Sequence, residues 1–176
     1  KFKYLFNDYY PYLIKGIDSM KDDGAYISQL RISAIEEMTQ EIGFSGIFEF
    51  SNMIKFQNLL ADAVPVETIL NNLNLILIKL DSKCYGEMFF SQNLLWKGYK
   101  NYGKIWAEAI ITDAIKDKWD SNKLVNLLLS FPSERWLWNL VETADQVVQR
   151  EFWQKAPVHH HEMILEDIQY AIRRLL

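Results

Sequence analysis

Residues Tyr26–Gly46, YISQLRISAIEEMTQEIGFSG, carry the pattern on which the fold class turns. Ile27, Leu30, Ile35, Met38 and Ile42 approximate one apolar stripe close to the helical period, not the alternation of a strand. Gly43 follows at once, where a glycine ends a helix by accepting a positive φ. A second, short helix is predicted over 45–54, then an apolar run FQNLLADA at 56–63. Pro65 is expected in a first helical turn, where its missing N–H is no loss, opening VETILNNLNLILIKL.

The same punctuation continues along the chain, which has only 7 Gly and 4 Pro. A region from about 84 to 115 is rich in Trp and Tyr. DSNKLVNLLLSF follows with Asp120 or Ser121 as N-cap, and Pro132-Ser133 is expected to start a long helix running to about residue 154. Pro157 breaks it, and a last helix begins near His159 or His160. The chain therefore reads as all-α, with about eight to nine helices in antiparallel pairs. Mixed helix lengths favour an α-solenoid-like stack of the HEAT or armadillo kind; the alternative is an irregular helical bundle.

A chain of 176 residues is read as a single all-helical domain, 1–176, able to carry its own core. Lys1 in place of Met, and helical spacing that persists to Leu176, point to a fragment of a larger protein. One cysteine, Cys84, makes no internal disulfide, and no apolar run approaches the length of a membrane span. A cytoplasmic setting without membrane attachment fits both facts. The 19 basic against 23 acidic residues give a net charge of −4, which disfavours general nucleic-acid binding.

PVHHHE at 157–162 gathers every histidine of the chain. His159, Glu162 and Glu166 fall on one helix face, as a metal would require, but no second histidine group exists to complete a sphere. No metal or cofactor is therefore assigned. LLWKGYKNYGKIW at 94–106 interleaves Trp96, Tyr99, Tyr102 and Trp106 with Lys97, Lys100 and Lys104. Stacking faces with cations between them suit a nucleotide or a single strand. The competing use is ordinary packing, with lysines snorkelling outward around a turn at Gly103. In the last helix, Ile164, Ile168, Ile172 and Leu175 form a stripe expected to self-associate if its neighbour is missing. No Gly-rich phosphate loop, nucleophile elbow, H-E-x-x-H or C-x-x-C occurs, so catalysis is not expected of this segment.

RISAIEEMTQEIGFSGIFEFSNMI (31–54) and FPSERWLWNLVETADQVVQREFW (131–153) resemble the helical-repeat, HEAT- or TPR-like C-terminal regions of large bacterial multidomain proteins. Some of those have NTPase or NAD-cleaving domains and act in anti-phage defence. The resemblance implies a sensing or scaffolding surface that binds a protein partner or other domains of the same chain, and no catalytic residue carries over. The residues themselves lead to the same expectation, a non-catalytic protein-recognition module. Its alternatives are a metal-dependent enzyme using His159–His161 and nucleotide or single-strand binding at Trp96–Trp106.

Overall fold

The computed structural model describes residues 1–9, 23–156 and 165–175, and among these every regular element is helical. There are nine α-helices and one short 3-10 turn among the described residues. The chain divides into two compact units, Lys1–Asn101 and Tyr102–Leu176.

In the first unit, a 3-10 turn at Lys3–Phe6 precedes α1 (Asp23–Ser51), α2 (Gln57–Ala63), α3 (Val66–Asn71), α4 (Leu73–Lys79) and the first arm of α5 (Tyr85–Lys116). Gly43 interrupts α1 with φ 70° and ψ 168°, the break expected from its position after the Ile27–Ile42 stripe. Ile27, Ile35 and Met38 of that stripe are buried, whereas Ile42 beside the break is half exposed. The continuous helix expected after Pro65 is instead two: Asn72 leaves the helical path at φ −118° and its amide donates to the Thr68 carbonyl at 2.9 Å. An asparagine side chain that bonds its own preceding turn competes with the helix ladder in this way.

Phe6, Ile35, Ile47, Phe48, Leu60, Ile69, Ile76, Leu80, Phe90 and Leu94 form the core of this unit. The Phe48 ring meets Phe90 edge-on, with centroids 5.0 Å apart. Buried Arg31 ties the N-terminal segment to α1 by donating to the carbonyls of Leu5 at 2.8 Å and Asp8 at 2.7 Å.

The start of α5 is fitted into the end of α1. A Cβ at Gly86 would lie 2.6 Å from Asn52 Oδ1 and 2.7 Å from the Ser51 carbonyl oxygen. Only a glycine permits that approach. One residue on, the Glu87 N–H donates to Asn52 Oδ1 at 3.2 Å. Its carboxylate Oε2 accepts from Lys79 Nζ at 2.9 Å and Ser82 Oγ at 2.7 Å. Burial alone raises the Glu87 pKa, but the hydrogen bonds from Lys79 and Ser82, with the Lys79 charge, outweigh it and hold the carboxyl below its ordinary value.

The second unit holds the rest of α5, then α6 (Ser121–Leu128), α7 (Arg135–Val141), α8 (Gln146–Lys155) and α9 (Leu165–Leu175). Asp120 caps α6 as expected, accepting from the Asn122 N–H at 2.9 Å. The long helix expected from Ser133 to about residue 154 is corrected to two short ones, α7 and α8. Asp145, extended at ψ 163°, accepts the Val148 N–H at 2.9 Å and starts α8 afresh. The Gln149 amide reaches back to the Ala144 carbonyl at 2.9 Å and secures the turn.

Helix α8 packs against α6, α7 and α9. Leu124, Val125, Leu127, Leu128, Leu137, Trp138, Val141, Val148 and Phe152 are buried around it. Tyr170 of α9 stacks on Trp138 with centroids 5.8 Å apart and planes 4° from parallel. Among the described residues no helix is long and apolar enough to cross a membrane.

Two outcomes follow from the α1–α5 junction. Gly86→Ala is expected to lose about 1–3 kcal/mol in urea unfolding, because the added methyl meets backbone that must shift. For Glu87 the folded-state pKa is depressed, so its stabilising contribution is complete above the ordinary carboxyl value and is lost as pH falls through the depressed one. Glu87→Gln is therefore less stable than the parent chain at about pH 7, and urea titrations show the gap narrowing toward about pH 3.

Candidate functional site

The first arm of α5 has two faces, and both are apolar. Phe90, Leu94 and Leu95 are fully buried, with Glu87 and Ser91 beside them. At 3.6 residues per turn, the opposite side carries Tyr85, Phe89, Gln92, Trp96 and Tyr99, spaced 4, 3, 4 and 3 residues apart. A surface helix normally turns polar residues that way. Here four of the five are aromatic. Tyr85 is 66 % exposed and Trp96 37 %, while Phe89, Gln92 and Tyr99 are half-buried.

The aromatics are ordered against one another along the helix. Tyr85 stacks on Phe89 with centroids 5.5 Å apart and planes 12° from parallel. Trp96 stacks on Tyr99 at 5.7 Å and 24°. Lys100 Nζ lies 5.2 Å above the Trp96 ring, a cation on an aromatic face. Side chains three and four apart on a helix meet in this manner, and rings already held in place lose little freedom when a partner covers them.

Lys97 is used differently from its neighbours. Its Nζ donates to the carbonyl of Asp62 at 2.7 Å and to that of Val64, with the Ala61 carbonyl at 3.5 Å, and so serves the C-terminal end of α2. The Ala61 carbonyl also accepts the Val64 N–H at 3.2 Å, and a cation at a helix C-terminus is favourable. Burial lowers the Lys97 pKa, opposed by the charges of Asp62 and Glu67. Its ammonium is thus committed within the fold.

The stretch 94–106 therefore separates into three parts. Trp96, Tyr99 and Lys100 form one surface cluster, and Lys97 faces α2. Tyr102, Lys104 and Trp106 belong to the second unit. There Trp106 packs against Tyr102 at 5.6 Å and against Phe131 at 6.4 Å, and Lys104 pairs with Glu108 at 3.4 Å. Gly103, at φ 76° and ψ −173°, breaks the helix at the turn its sequence position suggested. Tyr85 and Phe89 were not among the expected site residues, although their spacing to Trp96 and Tyr99 was readable.

His159–His161 and Ile164 lie outside the described residues, as do the side chains of Ile168 and Leu175. Ile172 is 49 % exposed, next to buried Ala171. Tyr170 contacts Arg135, whose Cζ is 3.6 Å from the ring centroid, and Arg174, which pairs with Glu142. The Tyr170 hydroxyl is shut off from solvent without a fully formed hydrogen bond. Its closeness to Glu142, ahead of the Arg174 contact, nevertheless holds that carboxyl below its ordinary value. No group of His, Cys, Asp and Glu arranged for a metal ion occurs among the described residues.

Compared with protein-family models, curated proteins and solved structures, the chain matches none of them. Its functional reading rests on its own geometry.

Lys97 and Lys100 should separate cleanly on mutation. Lys97→Met removes the ammonium that donates to the Asp62 and Val64 carbonyls and is expected to lower stability by about 1–3 kcal/mol in urea unfolding. Lys100→Met, on the exposed face, should stay within about 0.5 kcal/mol of the parent chain.

Proposed function

We propose that this chain is a non-catalytic recognition module that binds a protein partner through the outer face of α5. The observation that carries the reading is the aromatic seam Tyr85, Phe89, Trp96 and Tyr99, lying directly opposite the core side of the same helix. Aromatic side chains supply most of the energy at protein interfaces, and a half-exposed Trp beside a Tyr is the composition of a binding centre. Short helices that pack as neighbours within each unit suit a helical-repeat architecture, which we include in the proposal together with membership of a larger protein. Such modules present surfaces and leave chemistry to other domains.

Nucleotide or single-strand binding over Trp96–Trp106 is a weaker reading. It calls on Lys97 and Lys104, but Lys97 is engaged by α2 and Lys104 by Glu108. That leaves Lys100 as the lysine of the group resting on the aromatic face.

Selection of random 16-residue peptides displayed on phage tests the recognition reading. Enriched peptides should bind the parent chain and lose at least about tenfold in affinity, some 1.4 kcal/mol, to Tyr85→Glu/Trp96→Glu. Helical circular dichroism of the double variant should be unchanged, since both side chains are exposed. Failure to enrich any peptide, or enriched peptides that ignore the double variant, overturns the reading.

A further inference from the structure

The N-terminal segment is held to the first unit as a peptide is held by a receptor, through its main chain and two anchoring side chains. Arg31 is 8 % exposed; its Nε donates to the Leu5 carbonyl at 2.8 Å, and Nη2 to those of Asp8 at 2.7 Å and Tyr9 at 3.2 Å. The Phe56 N–H donates to the Phe6 carbonyl at 3.2 Å, the Lys55 N–H to Asn7 Oδ1 at 2.7 Å and the Asn58 amide to the Tyr9 hydroxyl at 3.3 Å. In all six the segment accepts, and four of the acceptors are main-chain carbonyls, which any sequence supplies. Lys1 runs the other way, donating to Glu37, but both side chains are exposed and such a pair adds little. Leu5 and Phe6 are buried, with Phe6 edge-on to Phe50 at 6.0 Å, while Lys1, Lys3, Tyr4, Asp8 and Tyr9 stay exposed.

We infer that Arg31 and residues 50–58 form a peptide-binding seat, filled here by residues 2–9 and open to exchange with a segment of another chain that carries two adjacent apolar residues followed by asparagine. Arg31 carries the argument. Among the described residues its hydrogen bonds go to this segment alone. Burial lowers its pKa, opposed by the charges of Asp62 and Asp8, so a carboxylate of α2 helps to hold the cation in place without bonding to it. An emptied seat would leave a buried guanidinium without acceptors, which favours re-occupation by a segment presenting carbonyls. The places of Leu5 and Phe6 then select apolar side chains, and the Lys55 N–H selects an acceptor such as asparagine at the next position. Residues 10–22 join the seated segment to α1 in sequence, so it competes with any outside peptide at an effective concentration on the order of millimolar. The seat uses none of the α5 aromatics and stands apart from the recognition reading above.

The test uses the full chain carrying Leu5→Asp/Phe6→Asp, which withdraws both anchors. It is titrated by fluorescence anisotropy with a labelled peptide KFKYLFNDY, the sequence of residues 1–9. The double variant is expected to bind this peptide at least about tenfold more tightly than the parent chain, whose seat is filled. Adding Arg31→Met, with helical circular dichroism retained, is expected to abolish binding, as is replacing Leu and Phe of the peptide by Asp. A folded double variant that ignores the peptide, or binding indifferent to Arg31→Met, overturns the inference. Hydrogen exchange of the parent chain decides the case in which the double variant does not fold. The Phe56 amide should exchange at least about tenfold faster than the amides of Ile35 and Met38, reporting release of the segment while α1 persists. Exchange of Phe56 at the rate of those helical amides makes residues 2–9 an inseparable part of the core and overturns the seat.

Discussion

The close fit of Gly86 against Ser51 and Asn52 sets the roll of α5 about its own axis, and the outer surface of the first unit depends on that roll. A helix apolar on two opposite faces has no local preference for which one to bury. The notch removes the ambiguity, because only the side without a Cβ can approach the end of α1 so closely. Glu87, next in sequence, then finds Asn52, Lys79 and Ser82 within hydrogen-bonding range. Phe90 follows on the same side and meets Phe48. Steric fit, a buried carboxylate and an aromatic contact all select the same orientation, and the remaining aromatics face outward as a consequence.

Two lysines three residues apart illustrate how position on a helix decides chemistry. Lys97 lies toward the α2 side, where carbonyls at the end of α2 need donors that their own helix does not supply. A flexible stem with three donors fills that need well. Lys100 lies nearer the seam, and its ammonium rests on the face of Trp96. Both residues looked alike as cations between rings. One completes the backbone bonding of a neighbouring helix, and the other gives the aromatic surface its charge.

Much of the fold was legible where a single residue enforces a backbone conformation. Gly43 and Gly103 both sit at positive φ where their sequence neighbours predicted breaks, and Asp120 caps α6. Less was legible where a polar side chain interrupts a continuing apolar pattern. Leu137, Val141, Val148 and Phe152 keep helical spacing across 137–152, which concealed the fresh N-terminus made by Asp145. Asn72 hid in the same way within VETILNNLNLILIKL. Of the site, the pairing of Trp96 with Tyr99 and Lys100 could be read from spacing alone. The role of Lys97 could not, since its carbonyl partners are more than thirty residues away in sequence. Spacing alone does not single out Tyr85 and Phe89, because Phe90, Leu94 and Leu95 offer an equally good stripe on the other side.

That duplication of apolar stripes bears on function through energy. Covering a large aromatic side chain is worth roughly 1.5–3 kcal/mol, so leaving Tyr85 and Trp96 open forgoes stabilisation that polar residues would not have offered. The stacked pairs Tyr85–Phe89 and Trp96–Tyr99 recover part of this by shielding one another. They also leave a surface whose shape is set before any partner arrives. Beneath it, the buried Glu87 is compensated by Lys79, which removes the one carboxylate of this arm from the balance of charge on its outer side. The interactions that fix α5 in its own unit therefore also leave an aromatic outer face whose stacked pairs are already ordered. Stability draws on one side of this helix and the proposed recognition on the other, held in register by a glycine.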